Sequence, residues 1–183
     1  IKKELAKNIA LNKIKVGEII YLTLSSDKNK KLQNLKYPIS KTTILEIKRD
    51  VNNNLVSKKI ITKLIKKKIL VEGFIEKSLY SSAVKNDVHP NIIIEFARIY
   101  GFEIDFQRDI RKNDSFQILY EVFVDSEEQF YKTGKILFAN MNIQNKKITL
   151  YRFDHNKFEG YYDIDGKSIE KALMKTPING ARL

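Results

Sequence analysis

Residues 78–116 read SLYSSAVKNDVHPNIIIEFARIYGFEIDFQRDIRKNDSF. Ser78 is a typical N-cap residue for a short helix, and Pro90 suits the first position of a second helix, because its missing N–H needs no partner there. Apolar residues at helical spacing give both helices a buried face. The stretch therefore predicts a helical pair, with apolar faces formed by Leu79, Tyr80, Ala83, Val84, Ile92, Ile93, Phe96, Ala97 and Tyr100.

The pattern changes after the second helix. Gly101 is placed to end that helix in a left-handed conformation, which costs glycine little. Residues 102–107 then alternate between apolar and polar side chains, and this period of two predicts a strand. The polar residues 108–114 are expected to turn the chain into another alternating strand that begins near Phe116.

Most of the remaining sequence is predicted to form strands. Residues 116–124, 135–143 and 147–153 are interpreted as an antiparallel meander with apolar side chains on both faces, so we expect both faces to be covered. Residues 42–48 are assigned to a strand. The lysine-rich residues 58–68 are assigned to paired strands, although their apolar spacing is also compatible with a helix.

Turn and cap residues predict further elements near the start, the middle and the end of the chain. A short amphipathic helix around Leu5 and Ile9 is followed by a turn at Gly17 and a strand. Asn113 stands at the equivalent place after the central helices, and asparagine tolerates a positive φ better than most residues. Near the C-terminus, Ser168 is placed to cap a helix through Leu173.

The predicted fold class is α+β, divided into two small modules. The first module, residues 1–72, begins with a helix, a glycine turn and a strand. That order over residues 5–22 resembles the closing half of a LysM wall-binding repeat. The second module, residues 73–183, packs the helical pair on the antiparallel meander.

Composition favours a globular protein with anionic partners. The 183 residues have a formal net charge of +12, and 43% of them are hydrophobic. Such a surplus attracts nucleic acid, acidic lipid or anionic wall polymers, but lysine far outnumbers arginine, which also indicates a compositional bias. Cysteine is absent, which excludes disulfides and thiol chemistry. No apolar run approaches the ~20 residues that span a bilayer.

Two stretches resemble a known family. Residues 78–121, SLYSSAVKNDVHPNIIIEFARIYGFEIDFQRDIRKNDSFQILYE, are similar to the region upstream of the catalytic domain in lysostaphin-like (LytM-type) zinc endopeptidases of the bacterial cell wall. Residues 160–183, GYYDIDGKSIEKALMKTPINGARL, are similar to the tail that leads into the first zinc-binding histidine of that family. The resemblance implies a non-catalytic N-terminal region of a larger enzyme.

That resemblance also implies partners, a cofactor and a location. The segment itself is not expected to be an enzyme or to hold a cofactor, whereas the parent protein is expected to be a zinc metalloendopeptidase with its zinc in a catalytic domain absent from this chain. The expected partners are that catalytic domain and peptidoglycan. The expected location is the periplasm or cell envelope, with an inner-membrane anchor upstream of residue 1.

The histidines do not suggest a metal site. The family's zinc site needs two histidines and a carboxylate that converge, but His89 and His155 are the only two histidines of the chain. Neither lies in an HxH or HxxxD pattern. His89 precedes Pro90 and is expected to end the loop or to cap a helix. We therefore predict no metal ligand and no catalytic residue in this segment.

The motif FQRDIRKND contains the candidate contact residues, Arg108, Asp109 and Arg111. An arginine fork can hold a carboxylate of a peptide stem or of the catalytic domain. The alternative is that these residues pair with neighbours and fix the turn.

Two classes of function follow. The first is a regulatory and substrate-positioning region of an enzyme that cleaves peptidoglycan cross-links, with the first module inhibitory or wall-binding. The alternative is a basic RNA-binding module or an envelope scaffold without an enzymatic partner domain. Nucleic acid is the less favoured partner, because residues 134–141, GKILFANM, lack the RNA-recognition signature.

Overall fold

The protein contains nine strands and two helices within the residues that the structure describes. The computed structural model describes residue 6 and residues 16–28, 30–155 and 158–169. The elements are β1 (Tyr21–Leu24), β2 (Leu32–Ser40), β3 (Thr43–Arg49), β4 (Leu55–Ile61), β5 (Ile65–Phe74), α1 (Leu79–Lys85), α2 (Pro90–Tyr100), β6 (Ser115–Val124), β7 (Phe130–Ile143), β8 (Lys146–His155) and β9 (Phe158–Tyr162). This mixture confirms the α+β class. None of the described helices is long and apolar enough to cross a membrane.

The strands form two separate antiparallel sheets, in the orders β1–β2–β3–β4 and β5–β6–β7–β8–β9. The chain divides accordingly into two compact units, residues 1–64 and 65–183. The predicted boundary between residues 72 and 73 falls inside β5, so it requires correction. All ten residues of β5 pair with β6, and this continuous pairing places the whole strand in the second unit.

The first unit is a four-stranded meander with a small core. The predicted strand at residues 42–48 is confirmed as β3. Residues 58–61 and 65–68 are extended in β4 and β5, but these two strands belong to different sheets and do not pair with each other. Gly17 has a φ of +94°, which fits the predicted glycine turn before β1. The buried residues of this unit are Leu32, Leu35, Tyr37, Leu45 and Ile47, with Leu55 packed against them.

The second unit packs its helices against one face of the five-stranded sheet. Along β6 the side chains alternate between buried and half-buried. The buried set, which includes Phe116 and Ile118, joins α1 and α2 in one hydrophobic core. The other set, which includes Leu119 and Phe123, is only half-buried. The predicted strands of the meander are therefore confirmed, and β9 is an additional strand that the sequence did not indicate. The covering of the second face stays a prediction, since that face is only half-buried.

The helix starts follow the predicted caps. The Ser78 side chain accepts a hydrogen bond from the backbone N–H of Ser81 at 3.1 Å. The His89 Nδ1 accepts one from the backbone N–H of Asn91 at 3.3 Å, so His89 is the N-cap of α2, and Pro90 takes the first helical position. The apolar face of α2 is buried as predicted, at Ile92, Ile93, Phe96, Ala97 and Tyr100.

Three local predictions are wrong. In α1, Leu79 and Ala83 are buried, but Tyr80 and Val84 are exposed. Gly101 has a φ of −59° and continues the right-handed conformation instead of adopting a left-handed one. Residues 102–107 form turns and no strand. Apolar and polar residues alternate there for another reason: consecutive turns bring both Ile104 and Phe106 into the core.

The turns between strands explain several residues with positive φ. Gln144 and Asn145 alone join β7 to β8, with φ values of 48° and 67°; a two-residue hairpin of this type matches the natural twist of the strands. Asn113 has a φ of 74°, as its similarity to Gly17 predicted. The predicted helices around Leu5 and through Leu173 lie outside the described residues, so the LysM-like start stays a prediction.

Candidate functional site

Arg108, Asp109 and Arg111 lie in the loop between α2 and β6. The largely exposed Arg108 places its Nε 3.6 Å from Oδ2 of Asp105. Asp109 accepts a hydrogen bond through Oδ2 from the Asp105 backbone N–H at 2.8 Å. Arg111 donates from Nη1 to the backbone oxygens of Arg108 and Ile110. These contacts lie within the loop. They agree with the alternative that Arg108, Asp109 and Arg111 pair with neighbours and fix the turn.

The same loop is joined to the β7–β8 turn. The Asp114 carboxylate accepts from the Arg111 backbone N–H at 2.6 Å and from the Gln144 backbone N–H at 3.1 Å. The Gln144 side chain donates to the Asp109 carbonyl oxygen at 2.9 Å. The role of Arg108, Asp109 and Arg111 as a contact for a peptide or another domain stays a prediction.

The two histidines are in separate aromatic surroundings. The His89 ring lies 5.2 Å from that of Phe130, and the His155 ring lies 6.2 Å from that of Phe153. Among the described residues, no group of three or more His, Cys, Asp or Glu side chains is arranged to hold a metal ion.

A charged cluster connects β7, β8 and β9. Lys135 Nζ lies 3.0 Å from Asp154 Oδ2 and 2.9 Å from Glu159 Oε1, and Arg152 pairs with the same two carboxylates. The hydrogen bonds from Lys135, followed by its positive charge, lower the pKa of both carboxyls. The cluster therefore stabilises the ionised carboxylates and fastens β9 to the sheet.

A second polar contact joins this cluster to α2. The Tyr161 hydroxyl donates to Glu95 Oε1 at 2.8 Å, and the Arg152 guanidinium lies over the Tyr161 ring at 5.5 Å. Burial, and then the hydrogen bond to Glu95, raise the pKa of Tyr161. These groups are occupied by one another, so they serve the packing of α2 on the sheet.

The half-exposed face of the second sheet contains a row of linked polar side chains. Gln117 donates to Glu72 Oε2 at 3.0 Å, and Asn140 donates to Gln117 Oε1 at 3.2 Å. Thr149 donates to Asn140 Oδ1 at 3.0 Å. The row crosses β5, β6, β7 and β8 and holds its amides in one orientation, because each bond orients the next group.

One end of this row opens into a cleft of about 680 Å³, which we call the amide cleft. Its lining residues belong to β5, the segment between β5 and α1, α1 and its C-cap, and the neighbouring parts of β6, β7 and β8. They include Phe74, Asn86, Ser115, Gln117, Asn142 and Lys147. A volume in this range is typical of ligand sites.

Gly73 lines the amide cleft and allows the side chains of Asn86 and Phe116 to pack closely against β5. A Cβ atom there would lie 2.8 Å from Asn86 Nδ2 and 2.9 Å from Phe116 Cζ, so only glycine fits without movement. Sequence reasoning missed the cleft. The available signal was the polar side chains at alternate positions of the strands, but their alignment depends on a register that one sequence does not reveal.

The chain is similar in sequence to part of one curated protein. The chain is 30% identical over 112 residues to the peptidoglycan DD-endopeptidase ShyC of Vibrio cholerae serotype O1. This chain is homologous to part of a peptidoglycan endopeptidase. The similarity covers 61% of this chain and 25% of ShyC, so the chain spans about a quarter of that relative. No protein-family model matches the chain.

Solved structures share the fold. A zinc-containing peptidase from Vibrio cholerae aligns with a TM-score of 0.57 and 22% identity, over 88% of this chain and 48% of that one. Csd3 of Helicobacter pylori aligns with a TM-score of 0.59 and 19% identity in its orthorhombic crystal, over 88% of this chain and 44% of that one. The hexagonal crystal of Csd3 gives a TM-score of 0.54 with 20% identity, over 82% of this chain and 40% of that one.

Proposed function

We propose that this chain is a non-catalytic regulatory and substrate-positioning region of a zinc metalloendopeptidase that cleaves peptidoglycan cross-links. The observation that carries the proposal is the 30% identity to a peptidoglycan DD-endopeptidase over 112 residues. The shared fold with a zinc-containing peptidase supports it. Because both relatives extend well beyond the matched part, the proposal assigns the zinc and the catalytic residues to a separate domain of the parent enzyme.

The proposal includes a location and a set of partners. A region of a peptidoglycan endopeptidase works where its substrate is, so we assign the chain to the periplasm or cell envelope. Its partners are peptidoglycan and the catalytic domain of the parent enzyme. An inner-membrane anchor upstream of residue 1 stays a prediction.

In the regulatory part of the proposal, residues 1–64 restrain the catalytic domain. Attachment through one chain gives a high effective concentration, so even a weak contact with the substrate groove is mostly occupied. Activation is then a population shift, in which wall substrate or a partner binds the open form better than the closed form. The separate core of the first unit makes it suited to this role, because it forms a compact body of its own.

The experiment compares the full-length enzyme with a variant that lacks residues 1–64 and keeps all of β5. Deletion is expected to raise the rate of hydrolysis of soluble peptidoglycan fragments without changing the bond that is cleaved. A matched control carries an unrelated soluble domain of similar size in place of residues 1–64, which separates specific restraint from simple crowding of the groove.

Two results would contradict the proposal at different levels. If the deletion variant folds, holds zinc and cleaves no faster, restraint by the first unit is wrong and positioning on the wall is the better interpretation. If the full-length protein neither holds zinc nor cleaves peptidoglycan, the endopeptidase assignment is wrong. Tight binding of RNA at physiological salt would then favour the RNA-binding alternative.

A further inference from the structure

We propose that the amide cleft binds a neutral oligosaccharide of N-acetylated amino sugars. The inference rests on the proposed function, because the glycan strand of peptidoglycan is the polymer of this chemistry that such an enzyme would meet. It goes further in assigning the glycan, and not the peptide stem, to a defined set of side chains in the second unit.

The charge of the cleft favours a neutral ligand. Its charged lining residues are Glu72, Glu76, Lys85 and Lys147, two of each sign. Lys85 pairs with Glu76 at 2.6 Å across the rim, and Glu72 accepts a hydrogen bond from Gln117. This local balance contrasts with the net charge of +12 of the whole chain. An anionic polymer would find no concentrated positive charge in the cleft.

The polar groups of the cleft match hydroxyl and acetamide groups. Amides offer a donor and an acceptor side by side, and serine hydroxyls offer both from one atom. Within the described part of the chain, the side chains of Ser115 and Asn142 make no hydrogen bond to other protein groups. Behind them, Gln117 and Asn140 are held in place by the polar row. The cleft thus presents available hydrogen-bonding groups on a fixed support, which reduces the ordering cost of binding.

An exposed aromatic ring completes the arrangement. Phe74 lies at the end of β5 with 69% of its surface exposed, although a phenylalanine gains by covering its ring. It is the register partner of Ser115, which pairs with Asn142, which in turn pairs with Lys147. Register partners project from the same face of a sheet, so these four side chains form one row.

The length of this row suits a short oligosaccharide. Three steps between neighbouring strands span about 14 Å. The apolar face of a pyranose ring packs on the Phe74 ring, and the hydroxyl and acetamide groups of the next units face Ser115 and Asn142. Lys147 closes the row as a donor to ring or hydroxyl oxygens.

The experiment is a titration of the full chain with tri-N-acetylchitotriose, followed by amide chemical shifts. We expect the largest shifts at residues 74, 115 and 142. Phe74→Ala and Asn142→Ala are each expected to weaken binding about five- to tenfold, the size of one lost hydrogen-bonding or packing group. Phe153→Ala is the matched control, because Phe153 is exposed on the same sheet but does not line the cleft. Its affinity should equal that of the unchanged protein.

Further probes define the ligand. Cellotriose has the same ring linkage without acetamide groups and is expected to bind more weakly. A muropeptide that carries both sugar and peptide should compete with chitotriose, whereas the free stem peptide should not. Competition by muropeptide identifies peptidoglycan as a source of the ligand besides chitin.

Three outcomes would overturn the inference: no binding of chitotriose, equal binding by Phe74→Ala and Phe153→Ala, or displacement by the stem peptide alone. None of them affects the hydrolysis experiment on the deletion variant. A region that restrains hydrolysis but binds no sugar would therefore leave the proposed function intact and remove only the glycan site.

Discussion

Phe96 lies at the centre of the contact between α2 and the second sheet. Its side chain is fully buried, with its ring 4.8 Å from that of Tyr100 and 6.4 Å from that of Phe116. Phe96→Ala would leave a cavity that this close-packed neighbourhood cannot fill. We expect a loss of about 3–5 kcal/mol in the free energy of unfolding.

Urea unfolding followed by circular dichroism measures this loss. Ile94→Ala is the matched control on the same helix, because Ile94 is 46% exposed; its effect is expected to stay within about 0.5 kcal/mol. Equal midpoints for the two variants would show that the buried face of α2 has been assigned wrongly.

At the scale of residues, the sequence predicts α2 better than α1. The 11 residues of α2 cover three turns, and their spacing defines one apolar face without ambiguity. The seven residues of α1 cover two turns, where four apolar residues allow more than one face. The surrounding core decides between them, and it buries Ser82 and not Tyr80. Such a choice depends on neighbours that are distant in the sequence.

At the scale of elements, the charged cluster around Lys135 adds to the attachment of β9, which also pairs with β8 along its five residues. The contacts of Lys135 lower the pKa of Asp154 and Glu159. A carboxyl whose pKa is lower in the folded state contributes stability above its unfolded pKa and loses that contribution as the pH falls through the folded value. The pH range in which Asp154 and Glu159 lose this contribution to stability therefore lies below about pH 4.

Lys135→Met tests this contribution. The unchanged protein is expected to be less stable at about pH 3 than at about pH 6, because these carboxylates become protonated below about pH 4. The variant should lose less over the same range, because the contacts of Lys135 that lower the pKa of Asp154 and Glu159 most are gone and only those of Arg152 remain. Unfolding midpoints at both pH values measure the difference. Lys132→Met is the control, since Lys132 contacts the ring of Phe123 and no carboxylate of this cluster. Parallel pH profiles for the Lys135 variant and the unchanged protein would contradict the expectation.

A helix or strand could be predicted from the sequence where the spacing of its apolar residues fitted only one kind of secondary structure. The meander strands are runs rich in apolar residues, and β6, β7 and β8 appear where expected. Residues 102–107 alternate equally well but form turns, because Tyr100 and Asp105 carbonyl oxygens accept bonds from nearby N–H groups. The amide cleft required the register of four strands. No local pattern contains that information.

At the scale of the whole molecule, the two units differ in the size of their cores. Among the described residues, the core of the second unit contains 24 buried hydrophobic residues, and that of the first contains five. A smaller core stabilises its backbone hydrogen bonds less against local opening. We expect the amides of β2 and β3 to exchange with solvent faster than those of β6 and β7.

Hydrogen exchange measured by mass spectrometry compares the two sets, after correction for intrinsic rates. The Phe96→Ala variant is the control. It should lower the protection of β6 and β7 and leave β2 and β3 unchanged, because Phe96 belongs to the core of the second unit. Equal protection of both sheets in the unchanged protein would show that the two units open together.

The sequence predicts two modules that meet between residues 72 and 73, whereas the compact units of the structure meet between residues 64 and 65. The lysine-rich residues 58–68 look like one segment in composition, although residue 64 ends one unit and residue 65 begins the other. Lys66 and Lys67 pair with Glu121 and Glu128 across the edge of the second sheet. Those acidic partners are more than 50 residues away in the sequence, and only the folded chain shows that they hold β5 in that sheet.

The two-residue turn at Gln144 and Asn145 has a consequence for how this protein can diverge in evolution. Inserting one residue there while preserving the turn's pairing would exchange the faces of β8 relative to β7, because side chains alternate along a strand. Leu150 would leave the core and Thr149 would enter it. We expect length changes among descendants of this sequence to avoid that turn and to collect in the polar loop at residues 125–129, where the chain already reverses over five residues. Gene libraries with random single-codon insertions would show the same preference.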